Sequence, residues 1–153
     1  MRKILALFRN LLSEDTYDPE DDENKKNTPP RVKPRVVDKE WGYEVWMANN
    51  EVNDYCGKIL HIEKGHRFSM HFHRDKHETF YVLRGRALLR IVKTEEAEIE
   101  EVTLEEGDAY EINRLVPHQV EALEDTDIIE SSTFHRDEDS YRVWRDERIT
   151  SLT

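Results

Sequence analysis

Four of the seven histidines in this 153-residue chain lie between His66 and His77, and two of them are separated by a single residue. Apolar and polar side chains alternate along residues 68–73, so an extended chain points His71 and His73 to the same face. Two imidazoles that project side by side from one strand can act as neighbouring ligands of a metal ion. The spacing therefore predicts a metal site on a β-strand.

A carboxylate and a third imidazole complete the predicted donor set. Glu78 opens the next predicted strand, and His118 follows a turn that is closed by Pro117. Three imidazoles and one carboxylate suit manganese, iron, nickel, cobalt or zinc. Four protein ligands on an octahedral ion leave two positions open, enough to chelate a substrate through two oxygens. We expect one divalent metal ion, held by His71, His73, Glu78 and His118.

The other histidines lack this spacing. His77 directly precedes Glu78, so its side chain is expected to face away from the predicted site. Surface positions or satisfied polar roles are expected for His61, His66 and His135.

The glycines around the histidines give the pattern a family resemblance. The series G-x5-H-x-H-x4-E-x6-G runs from Gly65 to Gly85, and a second series from Gly107 ends in Pro117-His118. These series resemble the two motifs of the cupin superfamily. The resemblance implies an all-β cupin fold, the double-stranded β-helix or jelly-roll barrel, with a divalent metal ion held by the motif residues.

Flanking segments narrow the resemblance. Residues 41–45 read WGYEV, residues 58–60 read KIL, and residues 128–133 read IIESST. Together with the motifs they resemble the cupin domain of type II mannose-6-phosphate isomerases and small stand-alone proteins related to it. His71 stands where that family usually has glutamine, and Lys76 where it has arginine. The resemblance implies an aldose–ketose isomerase acting on a sugar or sugar phosphate.

Such a reaction needs a base that moves a proton between two neighbouring carbons. The candidates are Glu111, on the strand that leads to the second motif, and Tyr81. Lys76, Arg67 and Arg114 lie close to the motifs in sequence and are candidates for binding a substrate phosphate.

Two other functions fit the same residues. An iron-dependent cupin dioxygenase would use the same four ligands. A non-catalytic sugar-binding or regulatory cupin would bind a ligand without turnover, and the absence of a partner nucleotidyltransferase domain keeps this alternative open.

Bulk properties exclude other classes. The net charge of −11 argues against a nucleic-acid partner, because phosphate backbones need a basic patch. A single cysteine, Cys56, cannot form an internal disulfide and fits a reducing compartment. No apolar run approaches the roughly 20 residues that span a bilayer. We expect a cytoplasmic protein that binds a small molecule and no membrane.

The chain divides into an N-terminal extension and a β domain. Residues 1–38 are predicted to be a flexible extension with a short amphipathic helix and an acidic, proline-containing linker, and residues 39–153 the cupin domain. Short alternating runs predict strands at 44–47, 58–62, 68–73, 79–83, 87–92, 100–104, 109–112, 119–123, 128–133 and 141–144.

A homodimer is expected from one apolar face. Phe68, Met70 and Phe72 should point away from the ligands and need cover, either from a second subunit or from the chain's own segment 41–47.

Overall fold

The computed structural model describes residues 32–144, which form eleven strands and one short 3₁₀-helix. The strands are β1 (Arg35–Lys39), β2 (Gly42–Asn50), β3 (Tyr55–Ile62), β4 (Met70–His73), β5 (Glu78–Arg84), β6 (Arg86–Lys93), β7 (Glu98–Glu105), β8 (Ala109–Ile112), β9 (His118–Ala122), β10 (Thr126–Ser132) and β11 (Ser140–Trp144). The 3₁₀-helix, Asp137–Asp139, lies between β10 and β11. No helix within these residues is long and apolar enough to cross a membrane.

Each strand predicted from the sequence overlaps one of β2 to β11. β1 is the exception, because it lies in a segment predicted as linker. It pairs antiparallel with β2, with Val36 opposite Val45. Most β1 side chains are exposed, so its sequence lacks a clear alternation and its pairing with β2 defines it. The predicted helix near the N-terminus lies outside the described residues.

The strands form two antiparallel sheets. The six-stranded sheet has the order β1-β2-β3-β10-β5-β8, and the five-stranded sheet has the order β11-β4-β9-β6-β7. Each sheet joins strands that are far apart in sequence, such as β3 with β10 and β4 with β9. This architecture confirms the predicted all-β jelly-roll class.

The apolar core comes from alternate positions of both sheets. Its side chains are almost fully buried and include Leu60, Ile62, Phe80, Val82, Leu89, Val120 and Ile128. The alternation therefore determines which side chains of each strand point to the interior. Polar residues at these positions are buried beside the apolar core.

β4 begins at Met70, two residues later than predicted, and this changes the position of Phe68. Phe68 joins the buried core, with its ring centroid 5.3 Å from that of His71 and 6.1 Å from that of Trp41. Met70 is fully buried within the chain, and Phe72 stacks on Tyr141 at 5.2 Å. The prediction that Phe68 points away from the ligands is wrong, and these three side chains give no argument for a dimer.

Candidate metal centre

Three strands bring the predicted ligands together. His71 and His73 lie on β4, Glu78 opens β5, and His118 opens β9, where its Cα pairs with that of His71. One ring nitrogen from each of the three histidines lies within 4.8 Å of the others. The antiparallel pairing of β4 with β9 thus places a residue of the second motif beside the first.

Backbone carbonyls orient all three imidazoles. The Nδ1 atoms of His71, His73 and His118 lie 2.8, 2.9 and 3.0 Å from the carbonyl oxygens of Ser69, Asp139 and Val116, respectively. A carbonyl only accepts, so each Nδ1 carries the hydrogen and each Nε2 is left with a lone pair. Metal-binding histidines are commonly oriented in this way.

The centre holds buried polar atoms that the protein does not satisfy. Nε2 of His73, Nε2 of His118 and Oε1 of Glu78 are buried and have no hydrogen bond within residues 32–144. The Glu78 oxygen lies 2.9 Å from Nε2 of His118 and 3.7 Å from Nε2 of His73. Lone pairs converging in a buried space repel each other, and a cation between them removes that repulsion.

The ionisation of these groups suits a cation as well. Burial, helped by the neighbouring His118 and His73, lowers the pKa of His71 well below its ordinary value. Burial and the Lys76 ammonium lower the pKa of His73 to about 4. Both imidazoles are therefore neutral near pH 7. The three histidines could hold a divalent metal ion, and Glu78 can supply an anionic oxygen.

His71, His73 and Glu78 line a cavity of about 560 Å³ that is also lined by a row of charged side chains. The row, here termed the charged wall, alternates in sign along the inner face of the six-stranded sheet: Lys39, Glu44, Lys58, Glu130, Lys76 and Glu78. Neighbouring charges in it lie 3.4, 3.7, 4.0, 2.6 and 2.6 Å apart, in that order.

Lys76 has a different position from the predicted one. Its ammonium is buried and lies 2.6 Å from both Glu78 Oε2 and Glu130 Oε1. Burial works to raise the pKa of Glu78, but Lys76 outweighs it and holds that pKa well below the ordinary value. Lys76 lines the cavity, but its ammonium is already paired with the two carboxylates. It therefore orients Glu78 and is poorly placed to bind a phosphate.

The other predicted site residues lie away from this cavity. Glu111 is exposed on the outer face of β8, with its carboxylate 2.9 Å from His77 Nε2, and Tyr81 is 40% exposed on β5. Arg114 is exposed and donates from Nε to the Asp75 carbonyl at 2.6 Å. None of the three lines the cavity, so the structure does not bring them together with the predicted metal ligands.

Arg67 lines a second cavity, of about 610 Å³, next to the first. The two cavities share Lys39, Trp41, Ser69 and Arg142. The predicted outward orientation of His77 is confirmed by its pairing with Glu111.

Sequence reasoning did not select several polar residues of the cavity, among them Glu44, Lys58, Glu130 and His135. His135 was expected to have a surface position or a satisfied polar role; its ring packs edge-on against Trp46 at 5.0 Å and its Nε2 lies 3.1 Å from Asp137 Oδ1. Two of the charged residues carried a usable signal, because they stand in phase with core residues of their strands, Lys58 with Leu60 and Ile62 and Glu130 with Ile128.

Comparison with known proteins agrees with this geometry. Residues 58–129, which contain all four predicted ligands, match the family model Cupin_2, the cupin domain. Among curated proteins, none matches the sequence.

Several solved structures are similar in fold. KdgF from Halomonas sp. aligns with a TM-score of 0.58 and 21% identity over 68% of this chain and 91% of that one. The capsular polysaccharide assembling protein CapF from Staphylococcus aureus gives 0.62 and 18%, over 73% of this chain and 33% of that one. Oxalate decarboxylase from Bacillus subtilis, in a structure at pH 4.6, gives 0.61 and 17%, over 72% and 30%. The chain spans about a third of the length of the last two proteins.

Proposed function

We propose that this cupin domain is a metal-dependent aldose–ketose isomerase acting on a sugar or sugar phosphate. One observation carries the proposal: three imidazole nitrogens converge beside a Glu78 oxygen, next to a cavity that His71, His73 and Glu78 line and that is large enough for a monosaccharide. The resemblance of the flanking segments to mannose-6-phosphate isomerases supports the choice of reaction.

His71, His73, Glu78 and His118 would hold the ion. A divalent ion bound there supplies Lewis acidity toward a carbonyl and its neighbouring hydroxyl. Lys76 holds Glu78 through Oε2 and leaves Oε1 directed at the histidines. The carbonyl of Asp139 holds the tautomer of His73.

Two cavity residues can carry the proton that isomerisation moves. Burial, followed by the nearby Lys58 and Lys76, lowers the pKa of His135, so its imidazole is neutral near pH 7 and able to accept a proton. Glu44 offers a carboxylate that accepts a hydrogen bond from Trp46 Nε1 at 2.6 Å. Both replace Glu111 and Tyr81 as candidate bases.

The test begins with elemental analysis of untagged protein, followed by an assay of mannose 6-phosphate conversion to fructose 6-phosphate. We expect about one equivalent of metal, and His73→Ala should lose both metal and turnover. The matched control is His61→Ala, because His61 lies outside the cavity and pairs with Asp127. Turnover by a metal-free His73→Ala protein would refute the proposal.

Other outcomes would favour the alternative functions. One equivalent of iron together with oxygen consumption would favour the dioxygenase, whose donor set is the same. Metal and sugar binding without turnover would favour a non-catalytic sugar-binding cupin.

A further inference from the structure

Lys58 differs from the other lysines of the charged wall in its hydrogen bonding. Its side chain is almost completely buried, and Nζ lies 3.7 Å from Glu44 Oε2 and 4.0 Å from Glu130 Oε2. Both distances exceed that of an N–H···O hydrogen bond, whereas Lys76 has two contacts at 2.6 Å. An ammonium has three hydrogens to donate, and the two carboxylates that pair with Lys58 lie too far away to accept them as hydrogen bonds.

The surroundings keep this ammonium in place. Nζ lies 4.4 Å above the Trp46 ring, a cation–π arrangement. Trp46 is itself fixed by its hydrogen bond to Glu44. Lys58 lines the same cavity as the predicted metal ligands. The geometry is that of a preorganised donor facing a space in which a ligand can place an oxygen.

The charge of the cavity indicates what kind of oxygen the ligand would place beside Lys58. The cavity is lined by four cations and four anions, so the protein groups balance: Lys39, Lys58, Lys76 and Arg142 against Glu44, Glu78, Glu130 and Asp137. A divalent ion at the histidines adds two positive charges. A ligand that carries a negative charge restores the balance, even though the whole chain has a net charge of −11.

We propose that Lys58 binds the anionic group, a carboxylate or a phosphate, of a sugar-derived ligand whose other oxygens face His71 and His73. The inference rests on the proposed function and narrows it, because it excludes neutral sugars as the preferred ligand. A charged hydrogen bond of this kind strengthens binding by about 10- to 100-fold.

Isothermal titration calorimetry of the metal-loaded protein tests the proposal with three probes: glucose, glucuronate and glucose 6-phosphate. We expect at least one anion to bind about tenfold or more tightly than glucose, and the preferred anion distinguishes carboxylate from phosphate. Lys58→Met should abolish this preference. Lys93→Met is the matched control, because Lys93 pairs with Glu100 at the surface and lies outside the cavity.

Several results would overturn the proposal: equal binding of glucose and both anions, no binding of either anion, or an unchanged preference in Lys58→Met. The comparison of probes on the wild-type protein stands even where Lys58→Met fails to fold, and Lys58→Gln then serves as the second variant. Lys58-dependent anion binding without isomerisation would refute the proposed function and leave this inference intact. Isomerisation of a neutral sugar would refute this inference and leave the proposed function intact.

Discussion

Removing Lys76 should destabilise the metal-free protein strongly. The Lys76 side chain is 3% exposed and bridges Glu78 and Glu130, whose side chains are 2% and 4% exposed. Lys58 still lies 4.0 Å from Glu130 in a Lys76→Met variant, but Glu78 loses the only lysine within 4 Å of it in residues 32–144. Breaking a buried ion pair by removing one partner lowers the free energy of unfolding by about 3–5 kcal/mol. We expect a loss in that range at pH 7.

The pH dependence provides an independent check. In the wild type, burial raises and Lys76 lowers the pKa of Glu78 and Glu130, and the net result is a lowered pKa for both. Such carboxylates stabilise the fold above their unfolded pKa, and this contribution is lost as the pH falls through the folded pKa. Without Lys76, burial raises the pKa instead. The variant's deficit should therefore shrink between pH 7 and pH 5, as the carboxylates become protonated.

Urea denaturation followed by circular dichroism measures both effects. A chelator must be present, because a bound divalent ion would compensate Glu78 in the variant. Lys93→Met, which removes an exposed ion pair, should denature like the wild type. A deficit of less than about 1 kcal/mol at pH 7, or one of equal size at both pH values, would contradict the reasoning about a buried pair.

Four further results are expected. His118→Ala should reduce bound metal from about one equivalent to nearly none by elemental analysis. Asp139→Ala should weaken cobalt binding about 10- to 100-fold in an optical titration, because its carboxylate accepts the backbone N–H groups that follow His73 and its carbonyl orients that ring. Glu111→Ala should leave metal content and turnover unchanged, since Glu111 lies outside the cavity. Burial raises the pKa of the Cys56 thiol, so a disulfide reagent should label it slowly in native protein and rapidly in denaturant.

The sequence indicates which residues come together at the candidate metal centre, because strand alternation and ligand spacing are local properties. His71 and His73 need only an extended backbone to share a face, and Glu78 starts the following strand. The contact with His118 is long-range, and only the second motif indicated it. The predicted strands depend on the same local alternation, which explains why the exposed edge strand β1 was missed.

The candidate bases Tyr81 and Glu111 lie outside the cavity for a different reason. Phe80 and Val82 fill the core, so Tyr81 between them has to face outward, and this could have been deduced from the alternation. Glu111 lies in a four-residue strand, and so short a strand does not show from its sequence which side faces inward. The burial of Ile112 in the structure shows that Glu111 faces outward. Arg114 and Lys76 depend on loop paths and long-range ion pairs that no local pattern encodes.

The sequence shows charged residues of the charged wall at strand positions where apolar residues are expected. Glu44, Lys58 and Glu130 occupy inward positions of β2, β3 and β10, where the alternation calls for apolar side chains. Replacing buried ion pairs with apolar residues of similar volume is often neutral or stabilising, so stability alone does not require these charges. The three residues form ion pairs with one another, and all three line the cavity. Charged residues in phase with a core therefore indicate a polar ligand more directly than surface charges near a motif, which was the criterion that selected Arg67 and Arg114.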